Sequence, residues 1–88
     1  MFSPAYIKNY LKNTVWDKFR AQELWFRDID YYFWAYEIDN NKIYSTKGYF
    51  ENDTVYYSTI QYENIDIDKL IQEKYDEGYY CFASELAV

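Results

Sequence analysis

The sequence predicts an α+β domain: an N-terminal helix, a three-stranded antiparallel meander, a second helix and, in its fuller form, a short fourth strand at the C-terminus (αβββα or αβββαβ). Three observations predict it. From Tyr31 to Tyr62 the chain is dominated by aromatic and β-branched residues, cut into three runs by Asp39-Asn40-Asn41-Lys42 and Glu51-Asn52-Asp53. That is the pattern of strands joined by tight turns. Before this stretch, apolar residues recur at helical spacing from Ile7 to Phe26. After it, Ile67, Leu70 and Ile71 repeat that spacing up to a glycine stop at Gly78.

The first helix starts where Ser3 offers an N-cap oxygen and Pro4 takes the first helical position, at which its missing N–H costs nothing. Ile7, Leu11, Val15, Phe19 and Phe26 form its buried stripe, and Lys8, Lys12, Lys18 and Arg20 lie mainly off it. Asn13-Thr14 is a weak point where the helix could kink. A single helix ending near Arg27 is the preferred reading.

In the meander, two-residue turns at Asn40-Asn41 and Asn52-Asp53 fix a register that sorts side chains by face. One face collects Tyr32, Trp34, Tyr36, Ile38, Ile43, Tyr49, Tyr56, Ile60 and Tyr62. Its isoleucines and tryptophan predict that the helices cover it. The other collects Tyr31, Phe33, Ala35, Tyr44, Phe50, Val55 and Tyr57 among polar residues, and is expected to stay partly wet. Gly48 is expected to relieve crowding beside Phe33.

Asn64 or Asp66 caps the second helix, which runs to about Glu77 with Ile67, Leu70, Ile71 and Tyr75 inward. Its other side is acidic, and the carboxylates at its end oppose the helix dipole. Tyr79 to Leu86 has strand composition and would add a strand beside the meander or across a dimer interface.

A single domain of 88 residues buries only about 60–65% of its unfolded surface, so bulky residues must compensate. The chain carries 13 Tyr, 6 Phe and 3 Trp, more rings than a sheet this size can enclose. Several tyrosines must therefore lie at the surface, where they give contact area at low entropy cost.

The net charge of −6 is unevenly spread. Residues 1–27 hold five cations against two carboxylates, whereas residues 28–88 hold four lysines against 13 carboxylates. Such an acidic region repels phosphate backbones, which argues against direct nucleic-acid binding and for a basic protein surface as partner. A lone cysteine, Cys81, cannot form an intrachain disulfide and points to a reducing, cytoplasmic compartment. Met1-Phe2-Ser3-Pro4 has no apolar core and no run approaches 18 apolar residues, so neither a signal peptide nor a membrane span is expected. Heavy use of Tyr, Asn, Ile and Lys fits an A/T-rich genome, as in a phage, a virus or a low-GC bacterium.

Catalytic signals are weak. The chain has no histidine, which removes the commonest general base and metal ligand, and its two glycines build no phosphate cradle, so no enzyme, cofactor or metal is expected. Asp28 with Asp30, and Asp66 with Asp68, are read as turn and cap residues in preference to a cation site. Cys81, between Tyr80 and Phe82, is read as buried and inert. The basic stripe of the first helix is read as a solvated face.

The order helix, three strands, helix resembles double-stranded RNA-binding domains, but those place a basic cluster where this chain has Asp66 and Asp68, which turns the implied function away from RNA. The same layout is similar to that of small acidic phage proteins that block a nuclease's DNA-binding surface, the anti-CRISPR proteins, with no residue motif to carry sites across. The expectation that follows is a small acidic inhibitor, a nucleic-acid mimic of anti-CRISPR or anti-restriction type, bound to a basic host surface. Its carboxylates Glu51, Asp53, Glu63, Asp66, Glu73, Asp76 and Glu77 would meet lysines and arginines, with Tyr31, Tyr44 and Tyr57 as anchors. The alternatives are a self-associating homodimer and an immunity protein or antitoxin against a basic nuclease.

Overall fold

A computed structural model describes residues 3–19 and 21–84. The chain is α+β: helix α1 (Pro4–Lys18), strands β1 (Glu23–Arg27), β2 (Tyr32–Asp39), β3 (Lys42–Glu51) and β4 (Thr54–Glu63), helix α2 (Ile67–Asp76) and strand β5 (Tyr80–Ser84). The strands form one antiparallel sheet in the order β4-β3-β2-β1-β5.

The local signals hold where they depend on near neighbours. Ser3 accepts the Tyr6 N–H at 3.2 Å, and Asp66 accepts the Asp68 N–H at 3.0 Å, so both helices start at side-chain caps. Asn40 and Asn41 have φ of 50° and 66°, and Asn52 and Asp53 have 51° and 63°, as two-residue hairpins twisted to match their strands require. Gly78 ends α2 at φ 97°.

The first correction concerns α1. It stops at Lys18, because Phe19 turns to an extended backbone (φ −120°, ψ 158°), and Asn13-Thr14 stays helical. The residues read as its last turns form β1, paired with β2 from Glu23↔Tyr36 to Arg27↔Tyr32. Phe26 continues the helical stripe of Ile7, Leu11, Val15 and Phe19, but Leu24 and Phe26 share a face only in a strand, and pairing with Ala35 and Phe33 selects it. The meander thus has four strands, and the C-terminal strand docks on β1, with a bulge between Leu24 and Trp25. The part of the expected strand beyond Ser84 lies outside the described residues.

The second correction concerns the faces. The side chains divide as the register predicted, but each face receives one helix. On the phenylalanine face, Ile7, Leu11 and Val15 of α1 pack with Leu24, Phe26, Phe33, Ala35 and Phe50 into a core, so this face is not the wet one. On the tryptophan face, Leu70 of α2 packs with Trp34, Tyr36, Ile43 and Tyr79, flanked by Ile67 and Ile71. Tyr75, expected inward, is exposed. The chain leaves β4 at one edge and re-enters at β5 on the other, so α2 must cross the middle of the sheet. Its ten residues make a rod about 15 Å long and roughly 10 Å thick, against a sheet about 19 Å wide, so on this face most of β4 stays exposed.

Two cations tie the layers together. Lys8 of α1 points its Nζ at the rings of Phe26, Tyr80 and Phe82, at 5.2, 5.3 and 5.8 Å, and pairs with Asp28 at 2.9 Å. The first helix's basic face is therefore not simply solvated. Arg27 of β1 grips Asp30 through two bonds of 3.0 and 2.6 Å, donates to the Glu77 carbonyl at the end of α2, and lies over Tyr79 at 4.7 Å. Asp28 and Asp30 are turn residues, each held by a cation. Among the described residues no helix is long and apolar enough to cross a membrane.

Candidate functional site

Because α2 stops short of β4, the outer part of the tryptophan face is open. Tyr32, Tyr49 and Tyr56 occupy facing positions on β2, β3 and β4, and their rings stack at 5.0 and 5.2 Å between centroids. Cross-strand aromatic pairs of this kind each stabilise a sheet by roughly 0.2–1 kcal/mol, so the row is a fixed platform. Lys47 sits over Tyr32 at 5.9 Å, and a shallow depression of about 310 Å³ spreads around Tyr49, Tyr56 and Ser58. Farther along β4, Ile60 is 53% exposed and Tyr62 half-buried.

Between the end of β4 and α2 runs a groove of about 300 Å³ lined by Tyr62, Ile65, Asp66, Lys69, Leu70 and Glu73. Its floor is apolar and its rim carries two of the expected carboxylates. Glu63 closes β4 at the same end. Asp76 accepts from Gln72 at 3.0 Å and Glu77 pairs with Lys74 at 3.4 Å, toward the far end of α2. Glu51 and Asp53 lie at the β3–β4 turn, the opposite end of β4, where Tyr10 donates to the Asp53 carbonyl at 3.4 Å.

The three expected anchors lie on the other side. Tyr57 is 57% exposed on the phenylalanine face, its ring 4.4 Å from that of Phe19. Tyr44 shares that face, half-buried near Lys18, Phe19 and Thr59. Tyr31, in the β1–β2 turn at φ 58°, packs against Phe26 and belongs to the rim of the core. The structure thus gathers Asp66 and Glu73 at one groove, leaves Glu63 at the same end of β4 but turned to the other face with Gln61, and separates all three from Tyr31, Tyr44 and Tyr57.

Sequence reasoning missed the Tyr32-Tyr49-Tyr56 row because it assigned that face to the helices. The signal was present in the lengths: a ten-residue helix cannot cover the tyrosines of every strand. The surplus of rings is real. Of 13 tyrosines only Tyr36 and Tyr79 are buried, while Tyr6, Tyr56, Tyr57 and Tyr75 are exposed.

The buried polar groups are arranged for structure. The Tyr36 hydroxyl donates to the Glu23 carboxylate, which also accepts from Trp25 Nε1, and Trp34 Nε1 donates to Ser45 at 2.8 Å. Burial pushes the Tyr79 phenol up to about 12. Cys81, expected buried, is exposed on β5, because the short edge strand leaves its side chain outside α2. Desolvation by its neighbours and then the Glu23 charge push its thiol up, which lowers its thiolate fraction. Among the described residues no group of three or more acidic or sulfur side chains is placed to hold a metal ion. The arrangement offers contact area and charge. Comparison with known protein families, curated proteins and solved structures finds no match for this chain.

Proposed function

We propose that this protein acts by binding another protein, as a small acidic inhibitor that occupies a basic surface used for nucleic-acid handling. One observation carries the reading: the tryptophan side of β4 is exposed beyond α2, with the Tyr32-Tyr49-Tyr56 row toward one end of the strand and the groove beside α2, rimmed by Asp66 and Glu73, at the other. Exposed tyrosines give grip at low entropy cost, and the carboxylates Glu63, Asp66 and Glu73 supply long-range attraction for lysines and arginines. A net charge of −6 repels nucleic acid itself, which leaves a protein as the partner.

The test is affinity capture from a lysate followed by salt titration of each bound protein. Association steered by charge weakens between low and physiological salt, where screening acts within about 8 Å. The triple variant Glu63→Lys, Asp66→Lys, Glu73→Lys should abolish capture of basic nucleic-acid-binding proteins. A salt-independent set of partners, unchanged in the triple variant, would remove the electrostatic basis of the reading.

A further inference from the structure

The two edges of the sheet are treated differently. At one edge β5 has five residues and a bulge against β1, both of which discourage further pairing. At the other, β4 runs ten residues in unbroken register with β3, from Glu51↔Thr54 to Lys42↔Glu63. It contains no proline, no lysine and no bulge, and no charge before Glu63. By the usual rules this is an unprotected edge.

The outward groups can be assigned. The two-residue turn at Asn52-Asp53 makes Glu51 and Thr54 a hydrogen-bonded pair, so bonding to β3 alternates from there. Val55, Tyr57, Thr59 and Gln61 then direct their N–H and C=O groups away from the sheet. They form a row of donors and acceptors about 20 Å long at roughly 3.4 Å per residue.

Charge decides what fits that row. Carboxylates stand at both of its ends, Glu51 and Asp53 at one and Glu63 and Asp66 at the other. A second copy pairing antiparallel along the whole of β4 would bring Glu63 beside the Asp53 turn of its partner twice over, and like charges set opposite one another destabilise a sheet. A foreign strand with cations at both ends meets opposite charge at each.

We infer that the β4 edge accepts an extended segment of a partner protein by strand addition. The segment carries Lys or Arg at both ends and alternates small or apolar residues between them. Its side chains on the tryptophan face lie against Tyr56 and Ile60 and reach the groove at Tyr62 and Leu70. Its backbone pairs with Val55, Tyr57, Thr59 and Gln61. The inference deepens the protein-binding reading and rests on it, since it names how the partner's chain is held.

The probe is a synthetic peptide alternating valine and threonine with lysines at both ends, added at millimolar concentration to isotope-labelled protein while amide exchange is followed by NMR. The amides of Val55, Tyr57, Thr59 and Gln61 should exchange at least about tenfold more slowly, while those of β1 do not change. The same peptide ended in glutamates, or N-methylated at alternate positions, should give no protection. Thr59→Pro removes one outward N–H at a residue whose backbone does not bond to β3, and should abolish the effect; Thr59→Val loses the same hydroxyl contact with Thr46 but keeps the N–H, and should preserve it. No protection by the lysine-ended peptide, equal protection by the glutamate-ended one, or indifference to Thr59→Pro would overturn the inference. So would a homodimer of the free protein with these same amides already protected. If the triple variant Glu63→Lys, Asp66→Lys, Glu73→Lys loses its captured proteins while Thr59→Pro retains them, strand addition falls and the inhibitor reading stands. If neither variant changes capture, both fall.

Discussion

Replacing Gly48 with alanine tests the packing that holds β4 in place. In a strand this substitution usually stabilises by about 0.4–1 kcal/mol, because it restricts the unfolded chain. Here the added Cβ would meet the Tyr56 carbonyl oxygen on β4, and would stand 2.9 Å from Cε1 and 3.0 Å from Cζ of Phe33. Carbon atoms rest at about 3.5–4.0 Å, so the neighbours must move by half an ångström or more. Phe33 has nowhere to go, since its side chain is fully buried under α1. The carbonyl belongs to the β4 backbone and can shift only by loosening the ladder. Overpacking of this kind costs about 1–3 kcal/mol, and the net result should be a destabilisation of about 1–2 kcal/mol. Urea unfolding should show a lower midpoint at an unchanged slope, and the melting temperature of a domain this small should fall by about 4–8 °C per kcal/mol. Amide exchange should quicken in β4 more than in β1. Adding Phe33→Leu should recover little, because the clash with the carbonyl remains. An unchanged or raised midpoint in Gly48→Ala would refute the account of how β3 and β4 approach each other.

Other outcomes follow from the same contacts. Lys8→Ala should destabilise by about 1–2 kcal/mol, from the lost attraction to three rings and the lost stem packing, and Lys8→Met should restore the packing share; chemical denaturation of both variants measures the split. The Arg27 guanidinium, and beside it the Tyr32 N–H, hold the Asp30 carboxyl below the usual range. Its folded pKa is depressed, so its contribution to stability is present above about pH 4 and lost as pH falls through the lowered value; Asp30→Asn should flatten the acid limb of a stability–pH curve. At the alkaline end, the Tyr79 phenol is raised to about 12, so its contribution is full below about pH 10 and lost as pH rises through the folded value; absorbance and circular dichroism should show its ionisation together with unfolding. Asp53→Gly should stabilise by about 0.5–1 kcal/mol, since φ at this position is 63°, yet weaken binding to a lysine-ended strand; a gain in melting temperature without loss of peptide affinity would detach this carboxylate from the site.

The candidate surface was half legible from the sequence. The surplus of tyrosine, the acidic second half and the faces of the aromatic and aliphatic residues from Tyr32 to Tyr62 could all be read from composition and register. The sequence points to Tyr31, Tyr44 and Tyr57 as anchors because it predicts a wet face for them, and α1 packs on that face instead. Position along the chain points to the acids; the fold brings Asp66 and Glu73 to one groove, turns Glu63 to the other face, and leaves Glu51 and Asp53 at the β3–β4 turn.

What the sequence determined by itself was local: the caps at Ser3 and Asp66, the left-handed turns at Asn40-Asn41 and Asn52-Asp53, the stop at Gly78, and the two-face alternation of the strands. Each depends on the conformational preferences of a few adjacent residues, so each is written in those residues. Only the tertiary structure decided that Glu23–Arg27 is a strand, that the C-terminal strand docks on it, and that β4 is an edge left largely exposed on the tryptophan face. Those outcomes depend on which distant segments pair and on how much sheet a helix of given length can cover. No short window of sequence contains that geometry.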